Sequence, residues 1–183
     1  KTNLVTKQVF PDRAEIFWAR NGSRGPMLPE SSVNYQDVRL KLELGKGKFS
    51  TTTEVPFRWV DPINNANHAG LSDLTTATKT VLVDGKSWQI TQFFKSHFNT
   101  GSPKMGLGTG HISLEPGFLF RYRWSDFTYL HSEVKYQFPL GGDPLFAGEV
   151  LRYGLGISHL WLENDQIAVI PTFEFVGWSI SGG

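Results

Sequence analysis

The side chains with the widest chemical repertoire are five histidines, His68, His97, His111, His131 and His159, on separate segments without HxxxH or HExxH spacing. A zinc site needs three or four ligands that such spacing brings together, so no metal is expected. His131 and Glu133 alternate along one run and share a face, which suits an ion pair. His111 and Ser113 stand in the same relation, but nucleophilic catalysis also needs a third group to orient the base. Gly106-Leu107-Gly108-Thr109-Gly110 has the glycines of a phosphate cradle without the following helix or a Lys-Ser/Thr pair, and reads as a flexible loop. Asn21-Gly22-Ser23 fits a glycosylation sequon. With no cysteine, thiol nucleophiles, disulfides and cysteine metal sites are excluded. No catalytic residue, cofactor site or metal site is assigned, and no enzyme is expected.

The elements that would carry these residues follow from patterning. The chain has 183 residues, enough for one domain, and pairs a modest 39% hydrophobic fraction with 14% aromatics, too aromatic for a disordered chain. Eighteen basic against 17 acidic residues leave a net charge of +1, so no footprint for nucleic acid appears. No apolar run approaches the roughly 20 residues of a membrane-spanning helix, whereas a membrane β-barrel spreads its apolar residues over alternate positions.

Alternation is what the chain shows. From Ile112 to Trp124 the even positions are Ile112, Leu114, Pro116, Phe118, Phe120, Tyr122 and Trp124, and the odd ones include Ser113, Glu115, Arg121 and Arg123. The same period recurs over 38–44, 48–59, 127–138 and 151–161, and more weakly over 13–19, 71–83, 88–99 and 166–180. No segment has a convincing helical period. The expected fold is all-β, an antiparallel up-and-down transmembrane β-barrel with about nine strands visible in the chain. Nine cannot close an even-stranded barrel, so residues 1–183 are read as one incomplete barrel domain. Residues 1–12 are a periplasmic leader or the remnant of an earlier strand, and further strands are expected after 183.

Connections and tryptophans carry the same message. Long linkers (20–36, 61–70, 100–110, 139–146) alternate with short ones (45–47, 84–85, 125–126, 163–165), as in a meander with tight turns at one end. Asp84-Gly85 has the composition of a type I′ turn. Trp18 and Trp59 fall at the long-loop ends of their strands, and Trp88, Trp124 and Trp161 at the tight-turn ends, all on the apolar register. These five are the expected membrane-interface residues, because an indole buries its ring and keeps its N–H near polar groups. Trp178 lies off that register.

The polar register should line the lumen with Arg39, Lys41, Glu43, Glu54, Arg58, Asp73, Lys79, Lys95, His97, Glu115, Arg121, Arg123, His131, Glu133, Lys135, Arg152 and Glu174. Their mixed signs would pair and plug a narrow barrel, or line water in a wider one. On a barrel wall His111 and Ser113 invite comparison with outer-membrane lipases, but Ser113 precedes Leu114-Glu115 where the phospholipase motif has Asn-Gly.

The run Lys104 to Gly117, with Gly70-Leu71-Ser72-Asp73-Leu74 and Pro139-Leu140-Gly141-Gly142-Asp143-Pro144, resembles outer-membrane proteins labelled phenol-degradation (MetA-pathway) proteins and related transporter barrels. The resemblance covers 38–178 and implies a bacterial outer-membrane barrel passing small hydrophobic or aromatic compounds. The expected partners are the outer-membrane bilayer and a small solute. A soluble β-sandwich or lipocalin-like module with an apolar pocket is the alternative, and a lipid-modifying barrel enzyme a third.

Overall fold

The computed structural model describes residues 2–3, 32–142 and 148–181. In chain order the strands are β1 (Thr2–Asn3), β2 (Ser32–Lys46), β3 (Phe49–Pro62), β4 (His68–Leu71), β5 (Thr75–Asp84), β6 (Trp88–His97), β7 (Ile112–Arg123), β8 (Thr128–Leu140), β9 (Glu149–His159), β10 (Leu162–Glu163), β11 (Ala168–Val169) and β12 (Thr172–Ser181). A single 3₁₀ turn, Pro103–Met105, interrupts this series. The sheet is antiparallel throughout, ordered β1-β2-β3-β5-β6-β7-β8-β9-β12, and curls strongly into a half-barrel. Each long strand pairs with its neighbours in sequence, the up-and-down order expected of hairpins joined end to end.

All eight alternating segments that fall within the described residues form strands; the ninth, 13–19, lies outside them, as do Trp18, the sequon, most of the 1–12 segment and any strand after 183. Strands run longer than the alternation suggests. β2 starts at Ser32, inside the segment read as a linker, because its odd-numbered pattern continues back through Asp37, Tyr35 and Val33. The alternating segment 71–83 is one strand with a break. β4 and β5 both pair with β3, and between the pairs Phe57↔Leu71 and Glu54↔Thr75 three residues, Ser72 to Leu74, oppose two. This is a β-bulge, which bends the strand and re-aims a side chain.

Long and short connections alternate as the sequence implies except after β9, where residues 160–171 replace the expected short turn at 163–165. Gly47-Lys48, 85–87 and 124–127 lie at one end, together with 160–171, which carries the small β10–β11 hairpin. Gly47 takes φ 59°, a value that favours glycine in a tight turn. Asp84-Gly85 is not a type I′ turn: Gly85 is absent from the positive-φ glycines, β5 extends through Asp84, and the turn is 85–87. Asp84 Oδ1 accepts a 3.0 Å hydrogen bond from Gln89 Nε2 across the hairpin, which keeps Asp84 in the ladder.

Burial separates the two faces in the reverse of a water-soluble core. Leu40 is 73% exposed, Leu155 65% and Phe118 50%, while on the opposite register Arg58 is 5% and Glu115 2% exposed. Curling shields the concave, polar register and leaves the convex, apolar one uncovered.

Candidate functional site

The concave wall is the candidate site, and ladder register places its side chains. Arg39, Lys41 and Glu43 on β2, Glu54 and Arg58 on β3, Lys79 on β5 and Lys95 on β6 lie on one face. Glu115, Arg121 and Arg123 on β7, His131, Glu133 and Lys135 on β8, Arg152 on β9 and Glu174 on β12 lie on that face too. The continuity follows from period 2: once one pair is in register, every second residue of each strand joins the face.

The charges pair along the wall, within one strand or between adjacent or next-adjacent strands. Arg58 grips Asp37 with two bonds, Nε to Oδ1 at 2.7 Å and Nη2 to Oδ2 at 2.8 Å. Arg39 spans Asp37 and Glu54 at 3.2 Å each. Lys79 on β5 reaches past β3 to Glu43 on β2 at 3.2 Å. Lys135 pairs with Glu133 at 2.6 Å, and its ammonium lies 5.0 Å from the Phe93 ring centroid. Asp37 escaped the sequence reading because it preceded the assumed start of β2. The signal was there, since Asp37, Arg39 and Lys41 continue one alternation. The bidentate fork explains how a guanidinium as buried as Arg58 is tolerated, because a desolvated charge is stable only when paired and hydrogen-bonded.

A second cluster lies at the long-loop end. Glu115 accepts a 3.0 Å bond from Arg152 Nη1, and His97 Nε2 stands 3.5 Å from the same carboxylate oxygen. Ser113 is the cross-strand neighbour of His97, so a serine, a histidine and a carboxylate share one face at this end of the sheet. All three are at most 2% exposed. Glu115 is held by Arg152.

Asp73 does not sit on a strand register. The bulge turns it inward, where it is buried and holds the β6–β7 loop. Asp73 Oδ1 accepts from Gly101 N at 3.0 Å, and Oδ2 accepts from Thr109 N at 2.9 Å and Thr109 Oγ1 at 2.8 Å. Thr100 Oγ1 adds a staple, donating to Ser72 O at 3.0 Å and accepting from Leu74 N at 2.8 Å. The segment read as a flexible glycine loop is therefore tied down, with Gly106, Leu107 and Gly108 buried. Its glycines serve close approach: a Cβ on Gly108 would lie 2.5 Å from Asp73 Oδ1 and one on Gly101 2.5 Å from Leu107 O. Leu107 packs against Gly70 of β4, so the loop folds back over the concave wall.

Trp59 lies at the long-loop end of β3, and Trp88, Trp124 and Trp161 lie at the tight-turn end, all exposed on the convex side or just beyond the sheet. Trp178 pairs in register with Arg152 and belongs to the concave face.

These features define a class: a curled antiparallel meander with a charged, internally paired concave wall and an apolar convex one. No protein-family model matches the chain, and no curated protein matches it either. The resemblance to outer-membrane transporter barrels rests on the loop and strand-entry residues quoted above.

Proposed function

We propose that this chain forms the wall of a bacterial outer-membrane β-barrel that passes small molecules by diffusion, without catalysis. One observation carries the reading: the apolar register is the uncovered one. In water, exposing Val38, Leu40, Leu42 and Leu44 in a row, and the comparable rows of β7 and β9, forfeits roughly 25 cal/mol for each Å² of apolar surface left wet. Against lipid the same surface costs nothing, and the polar register faces a water-filled interior. A lipocalin-like module needs the opposite arrangement, with its apolar register turned inward around a ligand.

The tryptophan placement fits this reading, since indoles at both rims of an apolar band anchor it in the headgroup regions. The wall favours polar solutes over the hydrophobic or aromatic ones that the resemblance implies, because its charged and hydroxyl side chains outnumber apolar ones such as Phe93, Leu119, Val176 and Trp178. Mixed signs that pair along the wall leave the interior open to water instead of filling it by contacts across it, and the loop held by Asp73 narrows one end.

The full-length protein is expected to partition into detergent, and to migrate differently on a gel before and after boiling, as a closed barrel does. Recovery in the soluble fraction without detergent would end the proposal. In planar bilayers it is expected to give stepwise conductance; a barrel that inserts but never conducts would reduce the proposal to a structural wall.

A further inference from the structure

The convex face is not apolar throughout. Thr76, Thr78 and Thr80 take successive convex positions of β5, and Thr53 and Thr51 of β3 lie opposite Thr76 and Thr78. On the other side Ser96 and Gln92 of β6 lie opposite Thr76 and Thr80. A patch of hydroxyls and one amide thus spans β3, β5 and β6, indented by Phe49 and Phe94. It carries no charge. Apolar residues resume at both borders, Leu42 and Leu44 on β2 and Leu114 and Phe118 on β7.

Threonine suits a pleated strand and can turn its methyl group towards lipid, so the hydroxyls alone would call for no partner. Gln92 has no such option. It is exposed in the middle of the ten-residue β6. At about 3.3 Å per residue it stands roughly 13–17 Å along the strand from either end, further than its side chain reaches. The amide therefore cannot snorkel to the headgroups as a residue near a rim can. In hydrocarbon an amide without a hydrogen bond is strongly disfavoured. Neither Gln92 nor the hydroxyls around it have a side-chain hydrogen-bond partner among the described residues.

A hydroxyl and a primary amide each hold both a donor and an acceptor. A surface made of such groups is complementary to a copy of itself, which is what a two-fold interface requires. A patch of one charge would repel its copy, and an apolar one would be served equally well by lipid. We infer that the convex patch of β3, β5 and β6 is the seam of a homodimer in the membrane, where Gln92 and the hydroxyls of one copy hydrogen-bond to those of a second. The inference rests on the barrel reading, because in water the same patch would be an ordinary solvated face. Each copy keeps its own lumen, since the seam lies on the outside of the curl.

The test uses the full-length protein in detergent and in lipid vesicles. Sedimentation should show a dimer. Gln92→Leu should weaken self-association roughly tenfold, the loss of about one hydrogen-bonded contact, and keep the heat-dependent gel shift. The chain has no cysteine, so single-cysteine variants report the seam directly. In vesicles Thr78→Cys should join to its copy through a short thiol cross-linker, and Leu155→Cys, exposed on the convex face of β9, should not. These two positions decide the matter if Gln92→Leu does not refold. A monomeric wild type, an unchanged affinity in Gln92→Leu, or cross-linking through Leu155→Cys as strong as through Thr78→Cys would overturn the inference. A monomer that shows the gel shift keeps the barrel and loses the seam, whereas a protein soluble without detergent loses both.

Discussion

Phe118→Arg should prevent the chain from assembling in a membrane while leaving its synthesis unaffected. Phe118 sits midway along β7 on the convex face, between Gln92 of β6 and Val134 of β8. A lipid-facing arginine at the middle of a barrel strand costs about 2–4 kcal/mol, a large share of a net stability of about 5–15 kcal/mol. On a water-facing surface the same exchange is worth at most about 0.5 kcal/mol either way. The measurement is the fraction of chain that shows the heat-dependent gel shift after refolding into lipid vesicles. Wild-type recovery of the arginine variant would mean that the convex face meets water, and the proposed function would fall with it.

Asp73→Ala should release the β6–β7 loop. Three donors converge on this carboxylate, and hydrogen bonds to a charged acceptor contribute about 1.5–3 kcal/mol each when buried. Rehydration of the freed amides offsets part of that, leaving an expected loss of about 3 kcal/mol, confined mainly to the loop. Lys104 is already exposed at the loop's tip, so limited trypsin digestion reports the release: cleavage after Lys104 should accelerate many-fold. Asp73→Asn keeps one acceptor for Gly101 N and presents an amide to Thr109 N, so its cleavage rate should fall between the two. Unit conductance should rise in Asp73→Ala as the loop leaves the concave wall. A cleavage rate equal to wild type would show that the loop is held by something other than Asp73.

Period 2 makes the strands and both faces legible in the sequence, because each residue's side is fixed once its strand exists. That is why the common face of Arg39, Glu115 and Arg152 follows from their spacing. Partners were not legible. Whether Arg152 meets Glu115 or Glu133 depends on register across two hairpins, and register is set by turns whose geometry the sequence left ambiguous, as Asp84-Gly85 illustrates. Asp73 was misplaced for a related reason: one extra residue in a strand leaves no mark on composition, yet it rotates a carboxylate off the wall and onto a loop. The paired glycines of β9 are visible as letters, but their neighbours across the ladder, Glu133 and Val176 beside Gly154 and His131 and Glu174 beside Gly156, come from other strands.

The neighbour-to-neighbour order of the sheet has a consequence for how such a protein can change size. No long strand depends on a partner distant in the chain, so a hairpin such as β7–β8, Ile112 to Leu140, could be duplicated or deleted without rerouting any other segment. A single strand could not, since its loss would move every later tight turn to the opposite rim and reverse the chain's direction through the rest of the sheet. The heritable unit of width is therefore the hairpin, and a barrel built this way widens in even steps.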